Sequence, residues 1–380
     1  MHIAYAYDRL LPGTGADCEQ ALNTIAALTR QGADVTLVVP VAPGTDVPTA
    51  EQLQSYYQVS GTFRVMGVPC HGLDWIVSRK VLAARAIAKA LKAHSFDIVY
   101  TRNLLILIAM LSRGHRTAYD SHRAWPTHLP VLRPLLRWAM HHPAFVAGIF
   151  HSDYARQSYV RMGIDASKLT VAYNGFEPSR LNPVLSQSEA RRLLELPDDK
   201  PIVVYTGHVN LTKGLGIVLE IAKRCPEVLF ILVGSESEEG AIERRARALK
   251  NVMLVPWQRF DNTAKYLYAA DVLCIPPSAA PLKLFGHTVL PLKLYIYLAV
   301  RRPIIAPYSA DLLELLHHEE TALLSRPGDV NDAVHSLKRL LNDHCLQQTL
   351  SLNTSKLSAD LTWDRRAIRL IHFLSHRLNS

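Results

Sequence analysis

The sequence has no CxxC pair. Its five cysteines, Cys18, Cys70, Cys225, Cys274 and Cys345, are scattered and odd in number. That argues against a disulfide framework or a zinc knuckle and fits a reducing compartment, the cytosol. Long apolar runs are also missing. The longest, "LLILIAML" at 104–111, has eight residues and is too short to span a bilayer. The first residues, "MHIAYAYDRLLPG", show no basic segment followed by an apolar stretch, so no secretory leader is expected. There is no acidic DxD-like motif at the end of an apolar run to hold a metal. No nucleic-acid-binding motif or basic–aromatic interleaving is present either.

What is present is a long, ordinary globular composition with a basic excess. The chain has 380 residues, 49% of them hydrophobic and 20% charged, with a net charge of +9. That length suits two hydrophobic cores better than one. Residues 1–180 hold 18 Lys and Arg against 12 Asp and Glu; the remainder hold 24 against 21. A more basic first half invites an anionic partner, though a basic balance also occurs without specific meaning.

Short apolar runs alternate with helical patterns through the whole chain. "HIAYAY" reads as a buried strand, "LLPGTGAD" as a loop, "CEQALNTIAALTRQG" as a helix and "DVTLVVP" as the next strand. "TFRVMGV", "DIVYTR", "RTAYDS", "VAGIFHS" and "LTVAYNG" continue the series. A linker rich in Pro, Ser and acidic residues follows near position 180. The alternation then restarts with "IVVYTG", "VLFILVG", "NVMLVPW", "DVLCIPP", "RPIIAP" and "TALLSRP". Continuous apolar strands of this kind belong to parallel sheets buried on both faces. The pattern predicts an α/β chain of two Rossmann-like domains, 1–180 and 181–361, with a last helix over 362–380 starting at a Thr362 cap.

Ligands of such sheets sit beyond the carboxyl ends of the strands. The stretch "YTGHVNLTKG", 205–214, is the first such loop of the second domain. Lys213 and the amides of the following helix suit a diphosphate, and His208 can donate to phosphate. The plainer alternative is a solvated lysine and a strand-end histidine. Gly13 and Gly15 open the first helix but do not form GxGxxG, and alone they read as a tight turn. Residues 75–94, "WIVSRKVLAARAIAKALKAH", hold five basic residues and no acid. Ile76, Ala83, Ala84, Ile87 and Leu91 share one helical face, and Arg85, Lys89 and Lys92 another. Such a helix fits an anionic membrane surface, or equally the solvated outside of a domain. "LPVLRPLLRWAMHH" adds Arg133, Arg137 and Trp138 as a second candidate.

Taken in order, these segments resemble the retaining glycosyltransferases of family four. The resemblance rests on "GTGADCEQALNTIAALTRQGADVTLVVP", "YDSH" at 119–122, "LTVAYNG", "YTGHVNLTKG" and "PLKLYIYLAVRRPIIAP" at 291–307. It implies a GT-B fold: two Rossmann-like domains with parallel sheets facing across a central cleft, and a C-terminal helix crossing back to the first. It implies transfer of a sugar from a nucleotide-diphosphate sugar, UDP or GDP, to a sugar, lipid-linked or small-molecule acceptor, with retention. No metal and no cofactor is implied, and the work would be in glycan, polysaccharide or glycolipid synthesis.

Residue by residue, the resemblance places His122 at the reaction centre and Lys213 on the diphosphate. It places Gly13, Gly15, Gly207, His208, Gly286, His287, Thr288 and Lys293 around the donor. Glu314 matches a frequent family glutamate. The family also carries two glutamates eight residues apart, where this chain has Thr288 and Ile296, and a glycine where it has Arg301. A carboxylate can accept both ribose hydroxyls, and isoleucine cannot. That departure leaves open a catalytically impaired, scaffold-type relative. The composition and the resemblance together predict a cytoplasmic enzyme, peripheral at the inner face of the membrane.

Overall fold

A computed structural model describes residues 1–42, 44–70, 76–287 and 290–380, apart from the side chains of 76–79 and 285. The chain divides into two compact units. One comprises Met1–Gly175 with Trp363–Ser380, the other Phe176–Thr362.

The first unit is built on seven parallel strands: β1 (His2–Ala6), β2 (Asp34–Val41), β3 (Arg64–Pro69), β4 (Ile98–Thr101), β5 (Thr117–Ser121), β6 (Phe145–Phe150) and β7 (Leu169–Val171). Their order in the sheet is β3-β2-β1-β4-β5-β6-β7. β4, β5 and β6 are buried at every position, so they read as unbroken apolar runs with polar residues only at their ends. The sheet order reverses between β1 and β4, which opens a crevice at their carboxyl ends.

The last helix, Trp363–Asn379, is part of this unit. Its buried residues Trp363, Arg366, Ala367, Leu370 and Leu374 recur at helical spacing. It packs on the helix Ala16–Arg30, where Arg30 meets Asp364 at 2.7 Å.

The expected basic helix spans Ile76–Leu91. Its apolar face is not free. Ala83, Ala84, Ile87, Ala88 and Leu91 are buried, and most of them pack with β1, β2 and β4 side chains in one core cluster. Trp75 and the Ile76 side chain lie outside the described residues. The apolar face is a core face, packed on strand residues such as Ala4, Ala6, Val38 and Val99. Arg85, Lys89 and Lys92 remain exposed.

The second unit holds six parallel strands: β8 (Ile202–Thr206), β9 (Leu229–Ser235), β10 (Val252–Pro256), β11 (Val272–Cys274), β12 (Ile304–Pro307) and β13 (Leu323–Ser325). The order is β10-β9-β8-β11-β12-β13, the doubly wound arrangement with its crevice between β8 and β11. The unit begins slightly before position 180. Phe176 N–H donates to the Leu361 carbonyl at 3.0 Å, Tyr268 O–H donates to the Leu181 carbonyl at 2.9 Å, and Arg180 lies over the Phe260 ring.

Arg301, where the family glycine was expected, has φ +57°. It follows the helix Leu292–Ala299 and turns the chain into β12. A left-handed conformation costs a residue with a Cβ about 1–2 kcal/mol, and glycine adopts it freely. Arg301→Gly should therefore raise stability by about 0.5–1 kcal/mol, after the greater freedom of glycine in the unfolded chain is deducted. A urea midpoint that stays put or falls would show that the arginine side chain makes up for its backbone.

Candidate functional site

In the second unit the site starts where β8 ends. Thr206 N–H donates to the Tyr297 hydroxyl at 2.8 Å, and Gly207 N–H to the Val233 carbonyl at 2.9 Å. The chain then turns with φ +120° at Gly207. β9 passes close by: a Cβ on Gly234 would stand 2.6 Å from the Gly207 carbonyl oxygen. A side chain on Gly207 itself would meet the Lys293 ammonium at 3.0 Å. Lys293 reaches that point from the helix Leu292–Ala299 and lies 3.5 Å over the ring of Tyr205, a cation–π contact.

The turn Leu211–Lys213 brings in the second lysine. The Asn210 carboxamide accepts from Lys213 N–H at 3.2 Å and from the Thr212 hydroxyl at 2.7 Å, fixing the turn. Gly214 follows with φ +77°, and a Cβ there would lie 2.4 Å from that of Ser278. The helix Leu215–Arg224 then begins.

Burial, and next to it the positive Lys213, hold the Lys293 ammonium well below the usual lysine range. Burial lowers Lys213 as well. Among the described residues neither lysine has a carboxylate partner. A lysine that senses a second positive charge, with no carboxylate beside either among the described residues, suits an anion. The Cys274 thiol beside them is pushed up to about 12 by burial, against the pull of Lys293, and stays protonated.

The other expected residues fall in different ways. His208 Nδ1 stands 3.2 Å from a Glu236 carboxylate oxygen at the end of β9, so its ring is partly engaged. Gly286 has φ +66° at the end of the helix Ala279–Phe285, which packs on the Leu211–Lys213 turn. His287 is exposed, and Thr288 lies outside the described residues. Leu290 N–H donates to Asp311 at 2.7 Å, pinning the start of the Lys293 helix. Ile296 is partly buried on that helix, between the buried Tyr295 and Tyr297. Glu314 lies in the short turn Leu312–Glu314, which Asp311 caps.

In the first unit, His122 stands just past β5, exposed at the crevice, 6.0 Å from the His151 ring. Its inner side is crowded. That loss of water, followed by the positive Arg102, holds its imidazole well below the usual range, so it is neutral at pH 7. Gly13 and Gly15 flank the same crevice. The Gly13 N–H and carbonyl are both bonded to the Tyr57 hydroxyl at 2.8 Å. The Gly15 carbonyl accepts from the Cys18 and Glu19 amides. A Cβ on Gly15 would lie 2.5 Å from an Asp17 carboxylate oxygen. The glycine loop thus has its amide engaged and an acid beside it.

Beneath His122 lies a network that the sequence reading missed. Asp120 is wholly buried. It accepts from His151 Nε2 at 2.6 Å, Tyr100 O–H at 2.5 Å and Arg366 Nη2 at 2.7 Å, the last from the C-terminal helix. The Asn174 amide faces His151 Nδ1 at 3.2 Å, and Gln20 binds Asn174. Both imidazole nitrogens are thereby satisfied by the Nε2–H tautomer, an assignment made from the network. Burial pulls the His151 pKa down to about 4, against the upward pull of Asp120. Asp120, His151 and Asn174 sit at or just past the end of an apolar run ("YDS", "IFHS", "AYNG"), while Gln20 and Arg366 come from helices.

A neutral His151 carries a pH signature. Its folded pKa lies below the unfolded value, so the unfolded chain binds the extra proton first. Stability is full above about pH 6.5 and falls as the pH drops toward 4, with a limit of about 3 kcal/mol for a shift of this size. His151→Gln should flatten that slope. An equally steep loss between pH 6.5 and 4 in the variant would assign it to other groups.

The model for Glycosyltransferase Family 4 matches residues 19–180. The model for Glycosyl transferases group 1 matches residues 200–343. The chain belongs to the family 4 glycosyltransferases. This glycosyltransferase is 23% identical over 182 residues to the sulfoquinovosyl transferase SQD2 of Arabidopsis thaliana, 47% of this chain and 34% of that protein. The match therefore spans about a third of that relative's length. The sucrose-phosphate synthase of Thermosynechococcus elongatus has the same fold, with a TM-score of 0.79 at 18% identity, covering 99% of this chain and 98% of that one. So does Anabaena HepE in complex with UDP and glucose, with a TM-score of 0.74 at 18% identity over 99% and 100% of the two chains. The glycosyltransferase thus has the GT-B architecture, two parallel-sheet units with the last helix in the first.

Proposed function

We propose that this glycosyltransferase moves a sugar from a nucleotide-diphosphate sugar to an acceptor hydroxyl with retention and without a metal. The observation that carries the reading is the Lys213–Lys293 pair at the end of β8. Its depressed lysines carry charge at a cost that a diphosphate removes. As the anomeric C–O bond breaks, its electron pair leaves on the β-phosphate. Two fixed ammonium groups aimed there favour the transition state over the ground state. They fill the part that a divalent cation plays elsewhere, which supports metal independence. Retention follows from attack of the acceptor oxygen on the departing face, with its proton passing to the leaving phosphate.

UDP is the favoured nucleotide, since the similarly folded HepE binds UDP and glucose. The deciding experiment is thermal shift with UDP-, GDP-, ADP- and TDP-sugars in the presence of EDTA. UDP-sugars are expected to raise the melting temperature. No shift with any nucleotide would leave a non-catalytic, scaffold-type relative.

We also propose that the first unit rests on an anionic membrane surface, as a cytoplasmic peripheral protein of the inner face working in glycan or glycolipid synthesis. Between positions 98 and 152 the one carboxylate is the buried Asp120, against six arginines. Leu129, Val131 and Trp138 are exposed there, Val131 by 78%. Among the described residues no helix is long and apolar enough to cross a membrane. With roughly 1 kcal/mol of attraction per basic residue near an anionic surface, the chain should float with phosphatidylglycerol vesicles and not with phosphatidylcholine alone. Val131→Ser with Trp138→Ser should reduce flotation severalfold. Absence of any lipid-dependent flotation would rule the surface out.

A further inference from the structure

We propose that Arg102, together with His122, forms a subsite in the first unit for an oxyanion, a phosphate or carboxylate group carried by the acceptor. The inference rests on the glycosyltransferase reading for the word acceptor. The subsite itself rests on the unit's own side chains.

Arg102 is the first residue past β4, at the point where the strand order reverses. Its side chain is 11% exposed. Among the described residues its Nε is buried without a hydrogen-bond partner, and one Nη reaches only the Asp17 carbonyl, at 3.2 Å. The carboxylate nearest to it, Asp120, stands 3.9 Å from Nε, beyond hydrogen-bond reach.

Every acid around this crevice is otherwise committed. Asp120 is held by His151, Tyr100 and Arg366. Asp17 pairs with Arg9 at 3.0 Å and accepts from the Tyr7 hydroxyl at 3.0 Å. Asp8 accepts from the Asn103 side chain at 2.7 Å. Arg102 and Arg366 thus share one carboxylate, and Arg366 has the better part of it.

A guanidinium removed from water and left with an unpaired N–H is unfavourable until an acceptor arrives. Its planar fork matches the two oxygens of a phosphate or carboxylate. His122, exposed just past β5, the strand that pairs with β4, offers an N–H on the same side of the sheet without adding charge. A neutral sugar hydroxyl would leave Arg102 undercompensated. A nucleotide diphosphate already has its two lysines in the other unit.

The test is thermal melting of the full chain held in saturating UDP, so that Lys213 and Lys293 are occupied. Inorganic phosphate is titrated at constant ionic strength, with acetate as a parallel arm. Phosphate or acetate is expected to raise the melting temperature, and the stronger of the two assigns the acceptor's anionic group. Arg102→Gln should weaken that binding on the order of tenfold or more and keep the shift given by UDP. Arg102→Lys, which retains the charge and loses the fork, should fall between; it also serves if the glutamine variant does not fold. The subsite is overturned if neither anion shifts the wild type, or if Arg102→Gln and Arg102→Lys both respond as the wild type does. A chain that does not respond to UDP, and whose response to phosphate is lost in Arg102→Gln, would refute the donor reading and leave the subsite standing.

Discussion

Lys213→Ala lowers the rate of sugar transfer by on the order of 10²–10³-fold, the usual loss when one donor to a developing anion is removed. The fold survives the change, because Lys213 lies at the end of a short turn that Asn210 holds through the backbone N–H. Lys293→Met gives a loss of the same order, since the ammonium over Tyr205 is the other half of the pair. The two variants differ in one further respect. Removing Lys213 takes away a like charge, so the Lys293 pKa rises toward its ordinary value. Transfer assays with UDP-sugar and NMR titration of the lysine side chains check both parts. Near-normal turnover in Lys213→Ala would take that lysine out of the site. An unmoved Lys293 titration would show that the two ammonium groups do not sense one another.

Asp120→Ala destabilises the first unit by about 3–5 kcal/mol, as expected when one partner of a buried ion pair is removed. Arg366 and Arg102 are left in the interior without a carboxylate, and His151 and Tyr100 each lose an acceptor. The double variant Asp120→Leu with Arg366→Met recovers part of that loss, because Arg366 is then no longer left unpaired, while Arg102 still is. Urea unfolding followed by tryptophan fluorescence reads the effect. Trp125, Trp138 and Trp363 report on the first unit, and Trp257, after its replacement by Phe, no longer mixes in the second. A loss below about 1 kcal/mol in Asp120→Ala would mean that water or Asp17 takes over the pairing.

Much of the architecture was open to reading. The strands of both sheets are apolar runs closed by polar residues, and all thirteen stand where those runs stand. The last helix was legible from its Thr362 start. Its buried arginine was not, because Arg366 finds its partner 246 positions earlier in the chain. The helix Ile76–Leu91 shows the same divide. Its amphipathic pattern is plain, but a pattern does not say whether core or lipid covers the apolar face. Packing against β1, β2 and β4 answers that.

The two sites divide likewise. Lys213 and the loop after β8 were singled out from position and resemblance. The closeness of Lys293 to Tyr205 and Gly207 joins three segments that local spacing does not relate. Arg301 could be seen as a missing glycine, and its backbone angle explains why a glycine belongs there.

What the sequence by itself determined is therefore the local and periodic part: two α/β units, their strands and helices, and the loops beyond the strand ends. Hydrophobic burial is short-ranged along a strand or helix and leaves its mark as period and run length. Only the tertiary structure decided which charges share a carboxylate, which lysines crowd without one, and which apolar face was already covered. Electrostatic pairing in a low-dielectric interior depends on distances in space, which residue order does not record.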